Sequence, residues 1–390
     1  MAVVHPLRLA TVRKIRVLFT IPNFDTAGSG RALLNIAKGL NPEQFEPHIA
    51  CLHDRGDFFQ VVKASGIPVH VFPFVSPTRP VPALLQAAWK VSRRFKAIKP
   101  DIIHSFHYSA DYTEPLAARM AGIPWVFTKK NMSWGGASAN AWKLRSFLAK
   151  RIAVQNTDME RQFYPNSTKT VLIPRGVDTE AFAPQHPAPD IRLQMQTPAD
   201  KRIVICVANM VPVKGIELLI EAFAQLAPQF PDWMLWLVGE DKNEYGQKLH
   251  RMVEEKKLNS VVKFAGKQPN VRAFLDHAEI FVLPTKDKGE GSPVALLEAM
   301  ANGKVVIGSN VPGIKDQLSN HPDLQFSAGS ISQLQQRLSE KMSLKKYALN
   351  QTGERLREVA CSQFTVDIEV KRHEAFYTLN PAKIKESINV

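Results

Sequence analysis

Cysteine is scarce in this chain: three residues in 390, Cys51, Cys206 and Cys361, far apart from one another. They fit neither a disulfide framework nor a metal-ligand spacing, and they point to a reducing cytoplasm. No stretch reaches the roughly 18 to 20 consecutive apolar residues of a membrane-spanning helix. The N-terminal MAVVHPLRLATVRK lacks an apolar core long enough for a signal peptide. The expected location is therefore cytoplasmic, and the glycosylation-like triplets at Asn131 and Asn166 are read as chance. There is no Asp-x-Asp metal signature, no internal repeat and no low-complexity tract. No helix-turn-helix, zinc or RNA-binding signature is present either, so nucleic acid is not the expected partner.

Acidic residues are also in deficit, and unevenly. The net charge is +14, and residues 1–185 hold 24 Lys and Arg against 12 Asp and Glu, while residues 186–390 hold 26 against 24. One half is basic and the other nearly neutral, which points to an anionic surface as a partner of the first half. With 45% hydrophobic and 22% charged residues, the composition is that of a globular protein, and the length allows two domains of ordinary size.

Short β-branched runs alternate with longer helical patterns, the signature of parallel sheets with crossover helices. Strands are expected near 14–21, 47–52, 68–73, 101–105, 124–128, 151–154 and 170–174, and helices near 30–40, 82–99, 110–122 and 139–150. A proline-rich polar stretch at 183–201 reads as a linker. The alternation then restarts with strands at 202–208, 233–238, 261–265, 279–283 and 304–308. Helices are expected between them at 215–228, 243–257, 270–277 and 293–302. Ile216, Leu219, Ile220 and Phe223 fall on one helical face. The amphipathic segment 364–379 is expected to return to the first domain. Two sequential α/β domains joined by a linker suggest a ligand cleft between them.

The most informative stretch is KGEGSPVALLEAMANG, 288–303. Ser292 is a preferred helix N-cap and Pro293 suits the first helical position, so a helix is expected to start at Pro293. Its first amides, Val294 among them, point into a loop holding Glu290 and Gly291, with the positive end of the helix dipole behind them. That is an anion site suited to a diphosphate. Glu298 lies among apolar residues in this helix, and a lone buried carboxylate costs several kcal/mol unless it is paired. Two ribose hydroxyls could satisfy it. A solvated Glu290, and a Glu298 paired with a buried Lys or Arg, fit the spacing equally well.

Glu290, seven intervening residues and Glu298, followed by Ala299-Met300-Ala301, resemble the paired-glutamate motif of family-4 retaining glycosyltransferases. VANMVPVKGIELLIEAF (207–223) resembles that family's lysine-glycine loop, about 75 residues earlier. WLVGE (236–240), VVKFAGKQPNV (261–271) and EIFVLPT (279–285) resemble its successive strand ends. VLIPRGVDTEAFAP (171–184) is similar to its inter-domain segment, and GSGRALLNIAKGL (28–40) to its N-terminal glycine loop. The resemblance implies two facing Rossmann-like domains of the GT-B type with an inter-domain cleft. These are an acceptor domain at 1–185, a donor domain at 186–362 and a C-terminal helix, 363–390, packing back on the first. It implies a retaining transferase using a nucleotide-diphosphate sugar, with a glycan or lipid-linked acceptor, in cell-surface polysaccharide or lipopolysaccharide biosynthesis.

By position, the resemblance puts Glu290 near the donor-sugar hydroxyls, Glu298 on the ribose and Lys214 on the diphosphate, with Gly215, Gly239, Gly291, Ser292, Pro293 and Val294 around the donor. Departure of a diphosphate demands charge stabilisation. A lysine and helix amides supply it without metal, so neither a cation nor another cofactor is expected. Gly28 and Gly30, read as a loop between the first strand and a helix with Arg31 beside them, would let backbone approach a sugar or phosphate; an ordinary turn fits as well. His104 and His107, at the end of DIIHS, would face the cleft, His107 as a catalytic candidate; a structural histidine is the open alternative. Asn209 stands where the family commonly has arginine, which removes a cation from the donor site, and Arg175 could replace it from across the cleft. The stretch 128–134 lacks the histidine often found there, which leaves the acceptor side less defined.

The segment 82–99 reads as a basic amphipathic helix, with Leu84, Leu85, Ala88, Trp89 and Phe95 set against Lys90, Arg93, Arg94, Lys96 and Lys99. A second basic-aromatic region contains Lys129, Lys130, Trp134, Trp142, Lys143, Arg145, Lys150 and Arg151. Such segments can lie on an anionic membrane face; ordinary solvated cations are the alternative. A sugar-nucleotide epimerase, a phosphorylase, a sugar-phosphate synthase or a non-catalytic nucleotide-sugar-binding protein remain open readings of the same pattern.

Overall fold

The computed structural model describes residues 13–25, 27–107, 109, 111–133 and 139–378. Two sheets organise them. The first contains β1 (Ile15–Thr20), β2 (Phe45–Cys51), β3 (Val69–Val71), β4 (Ile102–Ser105), β5 (Trp125–Lys129), β6 (Arg151–Val154) and β7 (Thr170–Leu172). Its order is β3-β2-β1-β4-β5-β6-β7. The second contains β8 (Arg202–Val207), β9 (Trp233–Val238), β10 (Val262–Gly266), β11 (Ile280–Leu283), β12 (Val305–Ser309) and β13 (Gln325–Phe326), in the order β10-β9-β8-β11-β12-β13. The β1–β2, β1–β4, β8–β9 and β8–β11 pairs that centre them are parallel.

The reason is visible in the residues. RIVICV and WMLWLV are continuous apolar runs, and β8 and β9 are buried along almost their whole length; a strand covered by helices on both faces needs such a run. The helix Ile216–Leu226 buries Ile216, Leu219, Ile220 and Phe223, the expected stripe, plus Ala222 and Leu226. Each large apolar side chain removed from water contributes about 1.5–3 kcal/mol. The helix Pro189–Gln194 interrupts the stretch read as a linker, and none of its residues is buried.

The chain divides into two compact units. One comprises 1–128, 134–153 and 370–390, the other 129–133 and 154–369. This division falls near 154 and 370, whereas the sequence placed the boundaries at 185 and 363. The reason on the second unit's side is that Val177 and Thr365 form a parallel bridge, and Gly176 N donates to Glu369 Oε2 at 2.8 Å. In the first unit, Asn41 N donates to Glu374 Oε1 at 2.6 Å, which anchors the end of the helix Val366–Tyr377 there.

The basic helix runs Val81–Ile98. Its core face is Leu84, Ala88, Val91, Ser92 and Phe95, so Leu85 and Trp89, expected on that face, belong to another one. Val81, Leu85 and Trp89 are 56%, 46% and 52% exposed, at i, i+4 and i+8, and Arg93 lies 5.2 Å from the Trp89 ring centroid. The second basic-aromatic region is a surface only in part: Lys143 and Lys150 are exposed, while Lys129, Trp142 and Arg145 are buried. Arg145 is fully buried, 4.9, 5.6 and 5.3 Å from the rings of Trp125, Phe127 and Trp142. Lys129, also buried, donates to Asn131 O and Ser133 O at 2.8 Å each. Trp134 lies outside the described residues.

Candidate functional site

In each sheet the strand order reverses between two central strands, β1 and β4 in the first, β8 and β11 in the second. The loops leaving such a pair diverge, and the space at their carboxyl ends is where open α/β sheets hold ligands. In the second sheet, the loop after β8 carries Asn209 and Lys214, and the loop after β11 carries Thr285, Glu290 and Gly291. Lys286 N donates to Val213 O at 2.8 Å and ties the two loops together.

Lys214 Nζ donates to Glu290 Oε1 at 2.5 Å, and Thr285 Oγ1 donates to the same oxygen at 2.6 Å. The two charged side chains are 20% and 15% exposed, accessible yet mostly out of water. Gly215, which follows Lys214, has φ 63°, and a Cβ there would meet Pro284 O at 2.3 Å. The lysine loop can thus turn only on a residue without a side chain. Gly291 is held by close approach: a Cβ would meet Lys130 O at 2.2 Å and Gln155 Oε1 at 2.5 Å.

The helix after this loop is Val294–Ala301, with Pro293 at the N-cap position and no side chain capping it. Ser292 was expected as the cap. Instead its hydroxyl accepts from Arg175 N at 3.2 Å and from Gln317 Nε2 at 3.0 Å. Proline at the cap has no side-chain acceptor to offer, so the helix N-terminus keeps its positive end toward the loop. Glu298 is only partly buried, with Val294 and Ala295 on its side of the helix. The expectation of a buried Glu298 among apolar residues is corrected to a partly buried one, because the buried set Leu296, Leu297, Ala299, Met300 and Ala301 leaves that face only partly covered.

Arg175 belongs to the same unit as Ser292 and Glu290, and does not reach over from the first. Its Nε lies 3.4 Å from Glu369 Oε1. The amine of Lys130 is driven well below the usual lysine range, first by burial and then by the nearby positive charge of Arg175. Asn209 is exposed, and its carbonyl accepts from Val211 N at 2.9 Å. Gly239 follows β9, with its N–H donating to Gly266 O at 2.9 Å.

The residues expected on the first unit fare differently. The helix there starts at Ala27, so Gly28 and Gly30 lie inside it and not in a loop ahead of it. Gly30 is buried under the Phe24 ring, while Gly28 is exposed with open space where a Cβ would go. Arg31 is exposed, 6.0 Å from the Phe58 ring centroid. His107 is buried, with Nε2 3.2 Å from Ser109 Oγ and its ring edge-on to Phe74. His104 is fully buried, with Nδ1 2.6 Å from Tyr377 Oη and Nε2 2.8 Å from Thr128 Oγ1. It is a core histidine, and the reading of it as a ligand contact is corrected: the C-terminal helix brings Tyr377 onto it.

Sequence reasoning missed Thr285, Asn156 and Asp316. Asn156, fully buried, accepts from Met159 N and so caps the helix Thr157–Phe163; an Asn-Thr-Asp run after a strand was the available signal.

Comparison with known proteins covers most of the chain. The family model "Glycosyltransferase Family 4" matches residues 26–181, and "Glycosyl transferases group 1" matches residues 188–357. A GDP-mannose-dependent alpha-(1-6)-phosphatidylinositol monomannoside mannosyltransferase of Mycolicibacterium smegmatis is 32% identical over 151 residues. That match takes in 36% of this chain and 38% of the relative, so the likeness spans little more than a third of either. An uncharacterized glycosyltransferase of Haemophilus influenzae is 22% identical over 80% of this chain and 85% of its own. The structure of Anabaena HepE in complex with UDP and glucose superposes with a TM-score of 0.78 at 18% identity, over 94% of this chain and 100% of that one. At that identity the superposition establishes the fold: two parallel-sheet, Rossmann-like units.

Proposed function

The chain belongs to the group 1, family-4 glycosyltransferases, and from that membership we propose that it moves a sugar from a nucleotide-diphosphate sugar to a glycan or lipid-linked acceptor, with retention of anomeric configuration. The role fits the assembly of cell-surface polysaccharide or lipopolysaccharide. The observation that carries the reading is the Lys214–Glu290 pair, at 2.5 Å, placed on loops that leave the two strands flanking the switch point, beside an uncapped helix start. The donor site is assigned to the second unit, with Glu298 on the ribose and Lys214, Arg175 and the amides at Val294 on the diphosphate. The acceptor is assigned to the first, with Gly28, Gly30, Arg31 and His107 as its candidates.

In transfer, the bond from the anomeric carbon to the diphosphate oxygen breaks. A bond to an acceptor hydroxyl oxygen forms, and that hydroxyl's proton passes to the departing diphosphate oxygen. Negative charge grows on the leaving diphosphate. A lysine and fixed amide dipoles meet it without reorganising, the arrangement that lowers such barriers most. No metal need enter this account. Thermal unfolding with UDP, GDP and ADP, followed by incubation with the matching nucleotide sugars, tests the reading. Stabilisation by one diphosphate, and transfer that Glu290→Gln abolishes, are expected. No shift with any of the three sinks it. GDP-mannose, on which the Mycolicibacterium enzyme depends, and the UDP and glucose with which the HepE structure is in complex set the first two to try.

Attachment to an anionic membrane face is the second part of the proposal. Among the described residues no helix is long and apolar enough to cross a membrane. The helix Val81–Ile98 supports lying on one instead: the exposed stripe Val81, Leu85 and Trp89 can enter the acyl boundary while Lys90, Arg93, Arg94 and Lys96 meet headgroups. Co-sedimentation with vesicles containing anionic lipid is expected at low salt, with loss in Leu85→Ser/Trp89→Ser. Equal pelleting of the double variant removes the stripe from the account.

A further inference from the structure

The carbonyls of Glu290 and Gly291 are held by residues outside their own loop. Glu290 O and Gly291 O both accept from one donor group: Asn156 Nδ2, at 2.8 Å to each. The same side chain's other atom, Oδ1, accepts from Met159 N at 2.8 Å. Asn156 is fully buried, so each of these polar atoms is satisfied by protein and none by bulk solvent.

The opposite side of the loop is closed as tightly. Glu290 N donates to Pro312 O at 2.9 Å. A Cβ on Gly313 would meet Gly291 O at 2.7 Å and Glu290 O at 2.9 Å, so backbone sits against the same two carbonyls. The pieces flanking the loop are joined in turn. Asp316 Oδ1 accepts from Thr157 N at 3.0 Å and Thr157 Oγ1 at 2.8 Å, and Lys315 pairs with Asp158 at 2.8 Å. The segment 154–158 and the turn 312–316 thus form two jaws, and the loop lies between them.

We infer that Asn156 is a positioning residue for the transfer reaction: it fixes the Glu290–Gly291 backbone so that the Glu290 carboxylate stays within reach of the reacting sugar when Lys214 turns from it to the diphosphate. The inference rests on the proposed transfer function. In the structure the Glu290 side chain is located by Lys214 and Thr285. A ligand that draws Lys214 away removes one of those two restraints, and the backbone clamp then carries the positioning. Asparagine is the residue type that can do this from a helix cap. It offers an acceptor for the helix amide and, on the same planar group, two N–H donors for two carbonyls. Aspartate and serine cap equally well but cannot donate to both.

Asn156→Asp keeps shape and cap while replacing the donor with a carboxylate oxygen facing two carbonyl oxygens. Asn156→Ser removes the donor without adding charge. Ser330→Ala, which deletes the cap accepting from Gln333 N of a different helix, controls for lost stability. Two measurements are made on the full chain: hydrogen exchange of peptides covering 286–296, and turnover of whichever nucleotide sugar the wild type uses. Both Asn156 variants are expected to exchange at least fivefold faster in that peptide. Their kcat is expected to fall at least tenfold, with donor KM within threefold of wild type and Ser330→Ala unchanged in both. Asn156→Asp is expected to regain part of its kcat as the pH is lowered, because its protonated carboxyl can donate to one of the two carbonyls, whereas Asn156→Ser is not. Unchanged exchange overturns the clamp; faster exchange with unchanged kcat overturns its role in positioning. If the wild type turns over no nucleotide sugar, the transfer reading fails and the positioning role with it, while the exchange result still decides whether the clamp exists.

Discussion

Lys214 and Glu290, 76 residues apart in the chain, meet at 2.5 Å, so one of the two cations expected to receive the diphosphate is already neutralised by the acid expected beside the sugar. Each therefore sets the other's readiness, and removing one does not give the mirror image of removing the other. Glu290→Gln frees Lys214, and nucleoside diphosphate binding should hold or tighten while turnover falls by at least two orders of magnitude. Lys214→Ala removes a charge-assisted contact of about 1.5–3 kcal/mol, roughly 10- to 100-fold in affinity. Calorimetry with the diphosphate identified above reads both. Weaker binding in Glu290→Gln would show that the pair is merely structural.

Gly291→Ala should be worse than its size suggests. The added methyl would lie 2.2 Å from Lys130 O, a backbone atom, and 2.5 Å from Gln155 Oε1. The side chain can rotate away but the carbonyl cannot, so the loop itself must shift. Overpacking of this kind costs about 1–3 kcal/mol, and the displacement falls on the residue next to Glu290. A lower melting temperature with at least a tenfold loss of kcat is expected. A variant with wild-type kinetics would mean the loop tolerates more movement than these contacts allow.

How much of this was legible in the sequence depends on what kind of contact carries it. The strands 151–154 and 233–238 were readable to the residue, and 202–208 to within one, because parallel strands buried on both faces need uninterrupted apolar runs, and such runs are few. Glu290, Glu298 and Lys214 were readable as motifs. Ser292 was misread because a serine before proline looks like a cap, and only the fold reveals Arg175 and Gln317 competing for its hydroxyl. Asn156 was missed for a related reason: its cap leaves a local pattern, but the bond from its amide to Glu290 O spans 134 residues and leaves none. His104 looked like a strand-end ligand until residue 377 arrived beside it from the far end of the chain.

That histidine gives a stability prediction. Tyr377 Oη lies 2.6 Å from His104 Nδ1 in a fully enclosed site. Tyr377→Phe keeps the ring's packing against Phe19 and Phe45 but takes the partner from a buried nitrogen, at a cost of about 1–3 kcal/mol. Chemical unfolding should show that loss with diphosphate affinity unchanged. A change in affinity without a change in stability would return His104 to the site.

Lys304 makes the pH dependence of stability testable. Burial is the first cause that pulls its amine down to about 8, opposed by Asp276 and Glu279. In the unfolded chain it titrates near its ordinary value of 10.5. Between those two values the unfolded chain holds more protons than the folded one, so this group makes stability rise with pH across the window. Below about 8 both states are protonated and the burial cost is paid in full; above 10.5 both are neutral and it has gone. The full swing is on the order of a few kcal/mol. Lysine 129, also drawn down to about 8 by burial, adds a slope of the same sign, so the comparison must be between variants and not with a flat line. Lys304→Met removes one of these contributions and leaves those of Lys129 and of Lys130, whose amine burial also lowers. Urea midpoints measured from pH 8 to pH 10 should therefore rise less steeply for the variant than for the wild type, and start higher at the lower end, since no charge is buried. Parallel slopes would mean that the Lys304 amine stays protonated in the fold, held by Asp276 and Glu279.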